Sequence, residues 1–238
     1  MEEHEKPWQE IEISSWDWFD KQLEKLKPRE WLFRGHSDAK WELRTSLDRL
    51  FEDIQPIIKW AKGSNRRFAK RMHEDLIIET FKKTSNLYLR FLPDKLKPLE
   101  WLAIMQHYGA PTRLLDVTLS PHIATYFALE SGYEAGCIFA FNNAEIKKIN
   151  ETLLKEKTYK KMQEKIFSKE EPFITLFEPE QGNERLVIQQ GLFLVPSQID
   201  VPFQQLLADY HQFADDDICL KYIIPPKLRY SGIERMVV

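Results

Sequence analysis

Two short segments of the chain combine residue types that bind anionic ligands. In Trp31–His36 (WLFRGH), an apolar run leads to an arginine, a glycine and a histidine. In His107–Asp116 (HYGAPTRLLD), a second arginine stands among hydrophobic residues. An arginine stays protonated, and burying it without a partner is costly. We therefore expect Arg34 and Arg113 to lie on strands, in a polar cleft or in buried ion pairs, with Asp116 as the carboxylate partner.

Polar residues also stand at the ends of two other predicted strands. Asp116 and Thr118 close an extended run just before Ser120, which is followed by proline and predicts a helix N-terminus. Such a position suits anions and phosphates. Gln189 and Gln190 precede a glycine and an apolar strand. Their amides either recognise a flat amide or base edge or simply close a hairpin.

Several familiar catalytic motifs are missing from the sequence. It contains no Walker loop, no GxGxxG fingerprint and no GxSxG nucleophile elbow. The histidines lack the spacing of a metal site, so we expect no metal. Gly109 most simply ends a helix in the left-handed conformation, with His107 and Tyr108 in the last turn.

The composition excludes some classes of partner. The 238 residues carry a net charge of −3, and the pI is near 6.1. Neither value indicates binding to nucleic acid or to acidic membranes. Cys137 and Cys219 lack CxxC spacing and are expected to be free, buried thiols. The first residues do not resemble a signal peptide, and no apolar run could span a bilayer, so we expect a cytoplasmic protein.

The order of predicted elements indicates an α+β domain with a mostly antiparallel sheet. A first helix begins at Ser14-Ser15, where Ser14 and Asp17 have the spacing of a capping box, and a helical insertion covers residues 47–106. Residues 144–171 are rich in lysine and glutamate and predict a charged helical excursion that packs sparsely on the core. Strands are predicted at 31–35, 41–43, 113–117, 137–141, 173–177, 192–195 and 220–224.

The motifs resemble those of the FRG domain, a bacterial and phage-associated family named for its Phe-Arg-Gly motif. Phe33–Gly35 match that motif, His107–Asp116 match the second motif, and Gln190–Gly191 match the third. The resemblance covers roughly residues 14–195 and implies a single FRG-type domain over residues 1–238.

The chain is also similar to ADP-ribosyltransferases of the arginine–serine–glutamate type, which implies a split sheet. In those enzymes a strand with Arg-Gly grips NAD, a second strand shapes the nicotinamide pocket, and a late glutamate orients the ribose. Here Arg34–Gly35 would match the first element and Asp116–Thr118 the second. Glu184 stands near the place of the third, but there is no Glu-x-Glu, and Gln189 and Gln190 follow instead.

This similarity implies an NAD-dependent ADP-ribosyltransferase-like enzyme, a toxin or an antiviral effector, that modifies an unidentified macromolecule. Glu184 or Gln190 would act at the ribose, where a carboxylate stabilises developing positive charge better than an amide does. The alternative is a non-catalytic module that binds a nucleotide or nucleic acid in a phage–host conflict. The candidate dinucleotide-binding residues are Arg34, Gly35, His36, His107, Tyr108, Arg113, Asp116, Thr118 and Gln189.

Overall fold

The computed structural model describes residues 7–54, 64–87, 96–168, 172–180 and 188–237. These residues contain one seven-stranded sheet. The strands are β1 (Gln9–Glu12), β2 (Trp31–His36), β3 (Leu115–Thr118), β4 (Gly136–Asn142), β5 (Ile174–Phe177), β6 (Gly191–Pro196) and β7 (Cys219–Ile224).

Helices account for most of the remaining described residues. Between β2 and β3 the described residues include three α-helices, in the region of the insertion expected at 47–106. The α-helices are α1 (Trp16–Leu23), α2 (Ser46–Asp53), α3 (Ser64–Thr84), α4 (Pro98–His107), α5 (Pro121–Leu129), α6 (Asn143–Leu154), α7 (Tyr159–Glu164), α8 (Phe203–His211) and α9 (Pro226–Val237). None of the helices in the described ranges has both the length and the apolar character that crossing a bilayer demands.

The sheet is mostly antiparallel, as the order of elements predicted. The strands follow the order β1-β7-β4-β2-β3-β6-β5, and only β1 and β7 pair in parallel. Strand β2 pairs with β4 along its whole length, but it shares a single register position with β3, Phe33 opposite Thr118. The sheet therefore opens between β2 and β3.

Successive side chains of β2 pack alternately into two separate cores. Leu32 belongs to the larger core, on the face that α4 covers, together with Leu102 and Phe139. Phe33 belongs to the second core and packs with Ala124 of α5. Because successive side chains on a strand point to opposite faces, Arg34 and His36 share the face of Leu32, and Gly35 faces α5.

Local sequence explains where the helices beside the opening begin and end. Ser120 caps α5 by accepting a hydrogen bond from the amide of Ile123, with proline at the first helical position. Gly109 follows α4 with a φ of 81°. Its amide donates to the carbonyl of Gln106, and the next amide donates to that of Met105. These two hydrogen bonds are those of a Schellman motif, so the expected left-handed helix end is confirmed.

Some local expectations differ from the structure. Residues 41–43 do not form a strand. The cap of α1 is Ser15 rather than Ser14, and its hydroxyl accepts from the amide of Trp18. Strand β1 was not predicted, because three of its four residues are polar or charged and show no clear apolar alternation.

The segment at 144–171 is helical as expected, but the prediction of sparse packing is wrong. Met162 and Ile166 are fully buried in the larger core. Asn150 is fully buried too, and it donates to the carbonyl of Ile174 and accepts from the hydroxyl of Tyr210 at 2.5 Å. Most of the lysines and glutamates lie on the outer faces of these helices, although Glu145 is buried, so the segment is part of the core.

Candidate functional site

A cleft of about 950 Å³ lies where β2 and β3 separate. Its walls come from β2 and the loop that follows it, from α2, α4 and α5, and from the facing ends of β3 and β6. The cleft therefore spans the gap in the sheet and borders both helical layers. Seven of the residues selected from the sequence line it: Arg34, Gly35, His36, His107, Asp116, Thr118 and Gln189.

Arg34 bridges the two strands at the point where the sheet opens. Its Nη1 donates to the backbone carbonyl of Asp116 at 2.8 Å and lies 3.5 Å from the carboxylate of the same residue. The side chain of Arg34 is only 19% exposed. Burial lowers the pKa of Arg34, while the charge of Asp116 raises it. The predicted pairing of Arg34 with Asp116 is confirmed, and the polar atoms of Asp116 stand where β3 no longer pairs with β2.

His36 lies beside Arg34 and is neutral. The Nε of Arg34 donates to Nε2 of His36 at 3.0 Å, so this ring nitrogen carries no proton. Burial, followed by the charge of Arg34, lowers the pKa of His36 to about 3. The ring packs edge-on against Phe139. His36 thus orients the guanidinium of Arg34 as a hydrogen-bond acceptor and carries no positive charge at neutral pH.

Asp116 is held on its other side by α4. The side-chain amide of Gln106 donates to Oδ1 of Asp116 at 2.8 Å, and the hydroxyl of Thr112 donates to the carbonyl oxygen of the same amide. The hydrogen bond from Thr112 fixes the orientation of the Gln106 amide, so that its NH2 group faces Asp116. The carboxylate of Asp116 is therefore held by an arginine on one side and by an amide on the other.

Gly35 makes room for a helix. A β carbon at this position would lie 1.9 Å from the carbonyl oxygen of Ala124 and 2.7 Å from the amide of Ala128. The glycine of the Phe-Arg-Gly motif therefore lets α5 cross β2 in close contact. This arrangement places Phe127 and Ile123 of α5 along the cleft.

Six further residues that line the cleft lie close together in the sequence and were not selected from it. They follow β2 and continue into α2: Lys40, Trp41, Glu42, Arg44, Arg49 and Glu52. Arg44 forms ion pairs with Glu42 and Glu52, whereas the side chain of Trp41 is 55% exposed. Their proximity to the FRGH motif in sequence was the only available signal, since nothing in their spacing is typical of a site.

Thr118 and Gln189 join the ends of β3 and β6 at the edge of the cleft. The hydroxyl of Thr118 donates to the backbone carbonyl of Gln189 at 2.7 Å and accepts from the amide of Ser120. Thr118 therefore positions the strand ends. Gln190 adopts a left-handed φ of 46° and lines a separate groove beside Pro121. Glu184 lies outside the described residues.

Tyr108 and Arg113 do not line the cleft. Tyr108 is half exposed and its ring lies 6.3 Å from that of Phe81. Arg113 precedes β3, and its Nε donates to Glu74 of α3 at 2.6 Å. The prediction that Arg113 lies on a strand and pairs with Asp116 is wrong. Arg113 and Glu74 form a bidentate buried pair, and Arg113 also donates to the carbonyls of Pro196 and Ser197.

The thiols contribute nothing to the cleft. Cys137 and Cys219 are free and buried, as expected. Burial raises the pKa of the Cys137 thiol to about 12, so it remains protonated and unreactive at neutral pH. Among the described residues, no three histidine, cysteine, aspartate or glutamate side chains form a group that could hold a metal ion.

The fold and the site define an α+β protein with a polar cleft at the opening of an antiparallel sheet. Residues 29–136 match the family model of the FRG domain. The chain therefore contains an FRG domain, and the matched region carries the Phe-Arg-Gly strand, α4, β3 and α5, which together form most of the cleft. No curated protein and no solved structure matches the chain significantly.

Proposed function

We propose that the cleft binds NAD and that the protein is an ADP-ribosyltransferase-like enzyme. The observation that carries this proposal is the position of Arg34. It lies on the strand that borders the opening of the sheet, held by Asp116 and His36, with its guanidinium in the cleft. In the transferases that the sequence resembles, a strand with Arg-Gly grips NAD, and Arg34–Gly35 match that element in sequence.

The dimensions and lining of the cleft support a dinucleotide as ligand. Its volume of about 950 Å³ lies at the upper end of the range for small-molecule sites. Arg34 offers a guanidinium group for phosphate oxygens. Trp41 and Phe127 offer aromatic surface on which a base or a nicotinamide ring stacks.

The proposed reaction breaks the bond between the nicotinamide nitrogen and C1′ of the ribose. Nicotinamide leaves as a neutral molecule with the bonding electron pair, and positive charge develops on the ribose as an oxocarbenium-like centre. A nucleophile of the acceptor then attacks C1′ and loses its proton. A carboxylate near C1′ stabilises this charge, and the candidate for that role is Glu184. Gln190 lines a different groove, and Gln189 is the amide that borders the cleft.

A second candidate function is nucleotide binding without catalysis. It is favoured by the state of Asp116, the carboxylate nearest to Arg34, which is already engaged by Arg34 and Gln106. A nucleic acid is a weaker candidate ligand. The cleft contains four lysine and arginine side chains and four aspartate and glutamate side chains, so it presents no net positive charge to a phosphate backbone.

Titration calorimetry with NAD, combined with chromatographic detection of nicotinamide, tests both functions. The transferase proposal expects NAD binding and slow nicotinamide release. Arg34→Lys retains the charge but loses the forked geometry, and it should weaken NAD binding by about 1–3 kcal/mol. Its melting temperature is measured in parallel, so that a loss of binding is separated from unfolding.

Comparison of three further variants locates the residue that acts at the ribose. Glu184→Gln should abolish nicotinamide release with little change in NAD affinity, whereas Gln190→Ala, in the other groove, and Gln189→Ala, at the cleft edge, should retain it. If Gln190→Ala is the inactive variant, the assignment to Glu184 fails. NAD binding without nicotinamide release would support the non-catalytic function. Absence of NAD binding would contradict the transferase proposal.

A further inference from the structure

A small side pocket adjoins the cleft between β2 and the start of α2. Its volume is about 170 Å³. It shares Arg34, Arg44, Arg49, Gln106 and Asp116 with the cleft. Three guanidinium groups and one carboxylate give its lining a formal charge of +2, whereas the charged groups of the whole cleft balance. The positive charge of the cleft is therefore concentrated at this one place.

Two of the three arginines have side-chain N–H donors for which no described residue is the acceptor. Arg44 is occupied, because it pairs with both Glu42 and Glu52. Arg34 uses Nε on His36 and Nη1 on Asp116, and its Nη2 donates to no described residue. Arg49 uses Nη1 on the carbonyl of Arg44 at 3.0 Å. Its Nε and Nη2 have no acceptor, and no carboxylate lies within ion-pair distance of it, in the part of the chain that the structure describes.

The backbone holds Arg49 at this place. Thr45 and Asp48 form a reciprocal capping box at the N-terminus of α2, and the amide of Arg49 donates to the carbonyl of Thr45. Leu47 anchors the first turn in the core, with 1% of its surface exposed. The exposed guanidinium thus extends from a fixed helical turn, which reduces the entropy lost when it binds an anion.

The arginines also affect one another. Burial lowers the pKa of Arg34, the charge of Asp116 raises it, and the charge of Arg49 lowers it further. The two guanidinium groups therefore repel each other across the side pocket. An anion between them would remove this repulsion and accept hydrogen bonds from both groups.

We propose that the side pocket binds a phosphate monoester group of the nucleotide in the cleft, and that the protein prefers NADP to NAD. This inference rests on the proposed nucleotide site. A phosphate monoester carries close to two negative charges at neutral pH and can accept hydrogen bonds from the donors that Arg34 and Arg49 leave free. The volume of 170 Å³ equals that of roughly five water molecules, which is ample for a tetrahedral phosphate.

Calorimetry with the two dinucleotides tests the preference directly. NADP is expected to bind about tenfold more tightly than NAD, the effect of one charge-assisted contact. Inorganic phosphate at millimolar concentration should compete with NADP and leave NAD binding unchanged, which locates the contact at the additional phosphate. Equal affinities for the two dinucleotides, or phosphate that competes with both or with neither, would overturn the proposal.

Matched variants assign the preference to Arg49. Arg49→Ala should reduce NADP affinity about tenfold, to the level of NAD, with little change in NAD affinity. Arg49→Lys should retain part of the preference, since it keeps the charge without the fork. Lys40→Ala removes a charge from the mouth of the cleft outside the side pocket, and it should leave the ratio of the two affinities unchanged. Equal losses for both dinucleotides in Arg49→Ala would contradict the assignment.

The outcome is distinguishable from failure of the proposed reaction. An Arg49-dependent preference for NADP without nicotinamide release supports the side pocket and contradicts the transferase. Nicotinamide release with equal affinities supports the transferase and contradicts the side pocket. Absence of binding to both dinucleotides contradicts both proposals.

Discussion

Gly35 on β2 and Ala124 on α5 are in backbone contact across the second core. A β carbon added to Gly35 would lie 1.9 Å from the carbonyl oxygen of Ala124, a distance that no side chain can occupy. The close approach brings α5 down onto the strand that carries Arg34 and places Phe127 beside the cleft. The glycine of the Phe-Arg-Gly motif therefore determines the shape of the cleft through helix packing.

Gly35→Ala should destabilise the domain by more than about 3 kcal/mol, the upper end of overpacking costs, because α5 must move away from β2. Gly109→Ala is the matched control. No atom of the described residues lies within 4 Å of a β carbon there, but the φ of 81° remains unfavourable, so a loss of only about 1 kcal/mol is expected. Urea unfolding of both variants checks the order, and equal losses would contradict the steric explanation.

The buried pair of Arg113 and Glu74 should be important for stability and irrelevant to ligand binding. Each side chain is 5% exposed, and neither residue lines the cleft. Arg113→Met alone leaves a buried carboxylate without its partner and should cost about 3–5 kcal/mol. The double variant Arg113→Met with Glu74→Leu should recover most of that loss. NAD affinity of the double variant, measured well below its melting temperature, should equal that of the wild type.

The neutral state of His36 predicts a pH dependence of stability. Burial and the charge of Arg34 lower the pKa of His36 from 6.5 to about 3. Between these pH values the unfolded chain binds a proton that the folded protein does not, so stability falls as the pH falls from about 6.5 toward 3. At pH 5 the contribution of His36 is roughly 2 kcal/mol less favourable than at pH 7.

His36→Gln separates this effect from the titration of carboxylates. Glutamine also accepts a hydrogen bond from Arg34, but it does not titrate. The free energy of unfolding of the wild type and of the variant, measured at pH 7 and pH 5, should show a steeper loss in the wild type. Identical pH profiles would show that folding does not lower the pKa of His36.

Removal of residues 150–168 with a short Gly-Ser bridge should prevent cooperative folding. The deletion takes Asn150, Met162 and Ile166 out of the core, where all three are fully buried. It also leaves the hydroxyl of Tyr210 without its acceptor. Thermal unfolding followed by circular dichroism measures the effect. Lys157→Ala and Lys160→Ala, on the outer surface of the same segment, should change stability by less than about 0.5 kcal/mol.

Local sequence predicted the elements around the site well. The strand with Arg34, the left-handed helix end at Gly109 and the capped start of α5 at Ser120 depend on interactions within a few residues. Short-range backbone sterics and capping determine such features, so they can be derived from the chain alone. The same local runs carry the motifs by which the FRG domain is identified.

The lysine-rich segment shows why composition misleads about packing. Lysine and glutamate on the outer faces dominate the composition of residues 144–171, whereas a few apolar positions, including Met162 and Ile166, contribute to the core. A helix needs only one apolar face to be part of a core. The composition of the segment averages over both faces of each helix, so it does not reveal the apolar face.

The tertiary structure decided which charged residues pair and which groove a side chain lines. Arg113 pairs with Glu74, 39 residues earlier in the chain, instead of Asp116, because the folding of the chain brings α3, which packs on α4, next to the segment that precedes β3. Gln190 lines a separate groove beside Pro121 instead of the cleft, in a turn where its backbone adopts a left-handed φ. The sequence by itself determined the strand, the helix ends and the family motifs. Only the packing of distant elements decided that the sheet opens between β2 and β3, and that Arg34 and Arg49 line the same side pocket beside that opening.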